Sequence, residues 1–148
     1  MEKTRKPKNI FVEGAISPEK IAKSIANHAT NHEIGGHSVF LGQVRADAKE
    51  GGKVTGIAYT AYEEMALQQA FEIREAVFEK YPLTCMHIYH SLGDVKVGEI
   101  CLFVFTSSKH RKAAISACEE LVERIKNELP IWGKELVSND TTVWKENT

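Results

Sequence analysis

The chain has no Cys-x-x-Cys pair, and its three cysteines, Cys85, Cys101 and Cys118, are odd in number and far apart. That pattern excludes a disulfide framework and the usual spacing of a structural zinc site. Their neighbours, such as Leu102, Phe103 and Leu121, are apolar, so all three read as buried small hydrophobes without reactive chemistry. No run approaches the roughly 20 apolar residues of a membrane span. Residues 1–8 hold four basic side chains but lack the apolar stretch of a secretory signal. Charge of one sign is missing as well: 19 Lys and Arg against 20 Asp and Glu leave a formal net charge of −1. Any affinity for a polyanion would need a local basic patch, so bulk nucleic-acid binding is not expected. The absences together describe a cytoplasmic globular protein with no nucleic-acid or membrane partner, no cofactor and no metal.

What is present fits one domain. At 148 residues, 43% hydrophobic and 26% charged, the chain can bury a sizeable core. The expected organisation is a flexible N-terminal segment over 1–10 and a single domain over 11–148. Ser17-Pro18-Glu19 pairs a capping hydroxyl with proline at the first helical position, and Ile21, Ile25 and Ala29 repeat at helical spacing, giving a helix that ends near His32. A β-rich strand follows over 37–44, with Arg45 at its end. Residues 46–53 have no periodicity and read as a mobile loop before a second strand over 54–62. Residues 64–80 form a second helix with Leu67, Ala70, Phe71, Arg74 and Val77 on its inner stripe, closed before Pro82. Strands over 84–90 and 99–106 flank a glycine turn over 93–98. Ser107 or Ser108 caps a third helix whose apolar face holds Ala114, Cys118, Leu121, Val122, Ile125 and Leu129 until Pro130 ends it. Segments 134–137 and 141–145 then make a small C-terminal hairpin. Paired strands interrupted by helices imply an α+β class, with helices packed on one face of a largely antiparallel sheet.

Polar side chains of interest gather where elements end. Lys109-His110-Arg111 opens the third helix, where free N–H groups and the positive dipole end suit a small anion. Basic residues there oppose the dipole, a cost without benefit unless they bind something. Lys126 and Lys134 bracket the helix end and the Leu129-Pro130-Ile131-Trp132 segment. His87 and His90 read as sharing one strand face with no third ligand in view, hence as core or edge residues and not metal ligands. Arg111 and Lys126 are fifteen positions apart on one helix, roughly 22 Å at the α-helical rise. Both can serve one small ligand only if the helix start comes from a second copy, as in a twofold dimer.

At these positions the sequence resembles the molybdopterin synthase large-subunit family. The matching segments are Phe40-Leu41-Gly42-Gln43-Val44-Arg45, Tyr81-Pro82-Leu83, Ile88-Tyr89-His90-Ser91-Leu92-Gly93, Ser107-Ser108-Lys109-His110-Arg111, and Lys126 with Pro130-Ile131-Trp132-Gly133-Lys134-Glu135. They stand in the family's order across about residues 35–144. The resemblance implies an α/β hammerhead fold and a homodimer within a heterotetramer. The other subunit would be a small ubiquitin-like sulfur carrier with a C-terminal Gly-Gly thiocarboxylate. It further implies sulfur transfer to cyclic pyranopterin monophosphate, forming the molybdopterin dithiolene of the molybdenum cofactor. Carried over by position, Arg45, His110, Arg111 and Lys126 bind substrate, with His110 and Arg111 from the neighbouring protomer. Lys126, Lys134 and His110 are the candidate catalytic groups, Lys126 stabilising developing negative charge or relaying protons and His110 acting as acid or base.

The pattern is broken after the tryptophan, where many members have lysine: here Gly133 stands there and Lys134 follows. A one-residue shift in a strand sends a side chain to the other face, so Lys134 reaches the site only if the backbone adjusts. The C-terminus is also short after Trp144, which makes Lys145 the candidate for any basic contact drawn elsewhere from a longer tail. A competing reading is a non-catalytic α+β module that binds a small anionic metabolite and regulates a partner. It explains the basic helix ends but not Lys126 together with Pro130-Ile131-Trp132. Tyr59 and Tyr62 do not form the exposed aromatic platform of an RNA-binding sheet.

Overall fold

A computed structural model describes residues 7–146, ordered as β1 (Phe11–Glu13), α1 (Pro18–His28), β2 (Gly36–Gln43), β3 (Ala48–Lys49), β4 (Gly52–Ala61), α2 (Glu63–Lys80), β5 (Cys85–Lys96), β6 (Ile100–Ser108), α3 (Arg111–Glu128), β7 (Ile131–Val137) and β8 (Thr142–Trp144). Residues 1–6 of the expected flexible segment lie outside the described residues. Of the rest of that segment, Ile10 is buried, and its carbonyl accepts from the His90 amide at 2.8 Å.

The strands form one eight-stranded sheet in the order β2-β6-β5-β4-β7-β8, with β1 beside β5 and β3 beside β4. Every pairing is antiparallel except β1 with β5. This is the α+β architecture expected, closed by the β7–β8 hairpin. Strand β5 ties the halves of the sheet together, pairing β6 over 85–90 and β4 over 93–96. It changes partner at Gly93, whose φ of +79° suits glycine and where a Cβ would lie 2.5 Å from Glu13 Oε1. The glycine turn expected over 93–98 is therefore shorter: strand continues to Lys96, and the reversal falls at Gly98, φ +87°.

Alternation along β5 and β6 sorts the core. Met86, Ile88, Leu102 and Val104 join Ala70, Ile73 and Val77 of α2 and Ala117, Cys118, Leu121 and Ile125 of α3 in the main cluster. Burying one such aliphatic side chain contributes about 1.5–3 kcal/mol. Phe103 and Phe105 face the other way, onto Ile16 and Ile21. Two helices thus share one face as expected, while α1 lies on the opposite face. Its stripe is narrow, with Ile21 as its buried residue, and it covers the phenylalanines that α2 and α3 leave exposed.

Local signals explain the helix ends. Ser17 accepts from the Lys20 amide at 3.2 Å and Pro18 stands at the start of α1. Helix α1 stops at His28, short of His32. Ser108 Oγ accepts from the Ala114 amide at 3.0 Å and so caps α3 from outside, with His110 at the N-cap position. The α2 stripe falls on Ala66, Ala70, Ile73 and Val77, rotated one position from the expected Phe71 and Arg74. Within the expected loop 46–53, Ala48 and Lys49 pair with Lys53 and Gly52 as a two-residue strand.

Candidate active site

A hollow of about 230 Å³ opens between the end of β2, the last turn of α3 and the C-terminal hairpin, and Arg45, Tyr59, Cys101, Lys126, Glu135 and Lys145 line it. A narrower lobe of about 70 Å³ adjoins it through Tyr59, Cys101, Lys126 and Lys145, and adds His90, Trp132 and Gly133.

Each side chain has a local reason for its place. Val44 is buried and pinned at both polar groups, its amide donating to the Glu99 carbonyl at 3.1 Å and its carbonyl accepting from Gly98 at 2.9 Å. Arg45 follows at once and emerges into solvent, with its guanidinium held in a fork by the Asp47 carboxylate at 3.1 and 3.2 Å. That charge holds the Asp47 carboxyl below its usual range. Lys126 projects from the last turn of α3, half-buried. Burial above all, then the Lys145 and Arg45 charges, lowers its proton affinity, opposed by Cys101 and Glu123. Lys145 is drawn in by its own amide, which donates to the Gly133 carbonyl at 2.8 Å. Glu135 is almost fully buried and meets Lys49 at 3.2 Å, offsetting part of the positive charge. Tyr59 is buried above this group, and desolvation pushes its phenol up, keeping it protonated.

Two pocket residues were hidden from sequence reasoning. Cys101 reads as an inert core thiol, yet the β2–β6 register skips it: Gly42 faces Leu102 and Gln43 faces Ile100. It is the extra residue of a bulge, and a bulge re-aims a side chain that simple alternation would place elsewhere. Its Sγ contacts the Gly42 carbonyl at 3.4 Å. His90 does not share a face with His87, because three positions along a strand change sides. It turns into the lobe, its Nδ1 donating to the Ser91 carbonyl at 2.7 Å and its ring meeting Tyr59 edge-on at 5.1 Å. Burial depresses its pKa to about 4, so it is neutral near pH 7.

Lys134 is not part of this hollow. On β7 the buried positions are Gly133, Glu135 and Val137, and Lys134 points to the other side, with its ammonium over the Trp144 ring at 5.0 Å. Gly133 itself has no room for a lysine: a Cβ there would lie 2.8 Å from Ile57 Cγ2 and 3.1 Å from Tyr59 Cε1. The space beside the tryptophan is filled by Tyr59, and Lys145 lines both the hollow and the lobe whereas Lys134 lines neither.

His110 and Arg111 lie at the far end of α3, in a separate cleft of about 540 Å³ lined also by Gly35, Lys109 and Ile115. That helix end carries no acidic residue in its first turn and no side-chain cap from His110. Within one chain the structure brings together Arg45, Lys126 and Lys145 and leaves His110 and Arg111 a helix length away.

Comparison with known proteins places this geometry in a family. The sequence model of the MoaE protein family matches residues 12–128. The chain is 34% identical over 142 residues to the molybdopterin synthase catalytic subunit of Pyrococcus abyssi, covering 96% of this chain and 88% of that one. Related catalytic subunits from Drosophila are longer, and the chain spans about a third of them, 34% for that of Drosophila grimshawi. Among solved structures, molybdopterin synthase from Staphylococcus aureus superposes with a TM-score of 0.80 at 34% identity, covering 93% of this chain and 96% of that chain. A complex of subunits 1 and 2 of molybdopterin-converting factor from Helicobacter pylori superposes at 0.77 with 25% identity, covering 93% and 89%. With a family match over most of its length and a relative this similar from end to end, the chain belongs to the MoaE family.

Proposed function

We propose that this chain is the catalytic subunit of a cytoplasmic molybdopterin synthase, acting in molybdenum cofactor biosynthesis as a sulfurtransferase. Sulfur arrives on the C-terminal Gly-Gly thiocarboxylate of a small ubiquitin-like carrier and passes to cyclic pyranopterin monophosphate, forming the dithiolene. The observation that carries this reading is Lys126: a half-buried amine with lowered proton affinity, set in a hollow between Arg45 and Lys145. Such a group can stabilise the oxyanion that forms when water attacks the acyl carbon of the thioester left once the carrier's sulfur has bonded to the substrate, or pass a proton in that step. Arg45 and Lys145 supply charge-assisted hydrogen bonds for the substrate phosphate and the carrier's terminal carboxyl group.

The narrow lobe suits a glycine tail, since only residues without side chains pass Tyr59, Trp132 and Gly133 with the backbone close to the walls. Exposed Trp132 and Tyr62, packed edge-on at 5.1 Å beside it, offer the aromatic contact a protein partner requires. His110 and Arg111 complete the site from a second copy of the chain, in a homodimer within a heterotetramer. Among the described residues no helix is long and apolar enough to cross a membrane.

The test is reconstitution: the purified chain, a thiocarboxylated carrier and cyclic pyranopterin monophosphate are mixed and molybdopterin is measured. Product is expected with the native chain, and Lys126→Ala should abolish turnover while leaving the carrier complex intact. No product with competent carrier would favour a binding module, and near-normal turnover in Lys126→Ala would remove the residue from the mechanism.

A further inference from the structure

On the face of the sheet opposite the hollow, three side chains that the sulfur-transfer reading does not use converge. Cys85 and His87 alternate onto the same side of β5, and His28 closes the last turn of α1 above them. The ligand atoms of all three lie within 4.8 Å of one another, and the two histidine Nε2 atoms are 3.0 Å apart. We propose that His28, Cys85 and His87 form a binding site for a Zn2+-class divalent ion, a clip that fastens α1 to the sheet.

Tautomer chemistry carries the argument. His28 Nδ1 lies 2.6 Å from the Ser24 carbonyl, which can only accept, so the proton sits on Nδ1. Neutral His28 therefore presents a bare lone pair at Nε2, aimed at His87. An imidazole with one nitrogen donating to a backbone carbonyl and the other free is the arrangement that orients metal-ligating histidines. Without an ion, His87 must bring its own proton to Nε2 to fill the contact. With one, that proton moves to Nδ1 and both lone pairs face the metal.

Distances agree with a ligand set of two imidazole nitrogens and one thiolate sulfur. Bond lengths of about 2.0–2.1 Å to nitrogen and 2.3 Å to sulfur put tetrahedral ligand atoms roughly 3.3–3.6 Å apart, within a small side-chain adjustment of those seen. The floor is apolar, with the Phe105 ring 4.8 Å from His28 and 6.0 Å from His87. All three ligands are half-buried, which leaves a fourth position for water. Binding is not redox: the metal–sulfur bond forms as the Cys85 thiol proton passes to buffer.

The fold has a use for such a clip. Ile21 is the buried residue of α1, and the helix is held besides by the Lys20 ammonium over the Tyr89 ring at 4.3 Å, the His28 ring against Phe105 and the His28–His87 pair. The proposal stands apart from the catalytic reading, since none of the three residues touches the Lys126 hollow.

The experiment is titration of the metal-free full chain with Co2+, followed by Zn2+ displacement, read by absorption and calorimetry. One equivalent should bind with a thiolate-to-cobalt charge-transfer band, release a proton and be displaced by Zn2+. Cys85→Ser should lose the band, and His28→Ala or His87→Ala should weaken binding at least tenfold, while His32→Ala leaves it intact. Circular dichroism of each variant separates lost ligation from lost fold, and X-ray absorption of the native Zn2+ form should show one sulfur and two imidazoles. Absence of a charge-transfer band, a band that survives in Cys85→Ser, or a metal shell without sulfur would overturn the proposal.

Discussion

Protonating His90 should destabilise the fold by an amount the structure sets. Its pKa is depressed to about 4, chiefly by burial and further by the Lys126 charge, against an ordinary value of 6.5. The unfolded chain therefore takes up the proton first as pH falls. His90's contribution to stability is complete above about pH 6.5, declines between 6.5 and 4, and levels off below. Integrating over that window, the loss is about 2 kcal/mol between pH 7 and pH 5 and about 3 kcal/mol below pH 4. The comparison to make is the native chain against His90→Asn, whose amide can still donate to the Ser91 carbonyl but never titrates. Urea unfolding at half-unit steps from pH 7 to pH 4.5 gives both curves. The variant carries a constant offset for lost volume, and the gap between the two proteins should narrow by about 2 kcal/mol towards pH 5. Carboxylates elsewhere titrate alike in both and cancel. Parallel curves would refute a neutral, buried His90.

Lys145→Ala should lower turnover in the reconstituted assay at least tenfold, whereas Lys134→Ala should keep most of it, because its ammonium sits on Trp144 outside the hollow; the reverse order would overturn the placement of the hairpin. Restoring lysine with Gly133→Lys should cost about 1–3 kcal/mol in urea unfolding by driving a Cβ against Ile57 and Tyr59, and no loss would mean β7 can shift. Gly93→Ala should cost about 1–2 kcal/mol from left-handed backbone alone, with the Glu13 contact adding to it, measured the same way.

The fold was readable where local chemistry decides. The Ser17 cap, Pro18, Pro130 and the 3.6-residue stripe of α3 mark their elements without help from the rest of the chain. Strands β1 and β3 were not readable, since elements of three and two residues exist only through the partners they find in β5 and β4. A narrow apolar stripe says that α1 must pack but not on which side of the sheet, so its opposite placement was not visible. At the site, Arg45 and Lys126 stood out as charges at element ends beside a recognisable motif, and the short C-terminus pointed to Lys145. Cys101 was lost because a bulge defeats alternation, which no residue type announces. The cluster on the other face was lost because His28 and His87 are 59 positions apart, and only the α1 packing brings them together.

Strand β5 serves both faces, and that separation is itself measurable. The titratable groups that act on His87 are His28, Lys8 and Arg74, whereas those that act on Lys126 are Cys101, Lys145, Glu123 and Arg45; these two electrostatic sets share no residue. Between them lies the packed sheet, with Met86, Ile88 and Leu102 in the main cluster on one side and Phe105 on the other. Changes at residues without common partners add to within about 0.3–0.5 kcal/mol. The double variant His87→Ala and Lys126→Ala should therefore lose stability by the sum of the single losses, and His87→Ala alone should leave product formation near normal. Coupling well above about 0.5 kcal/mol would mean that strain crosses the sheet through β5. The two chemistries would then have to be treated as one site, with the α1 clip setting the geometry of the Lys126 hollow.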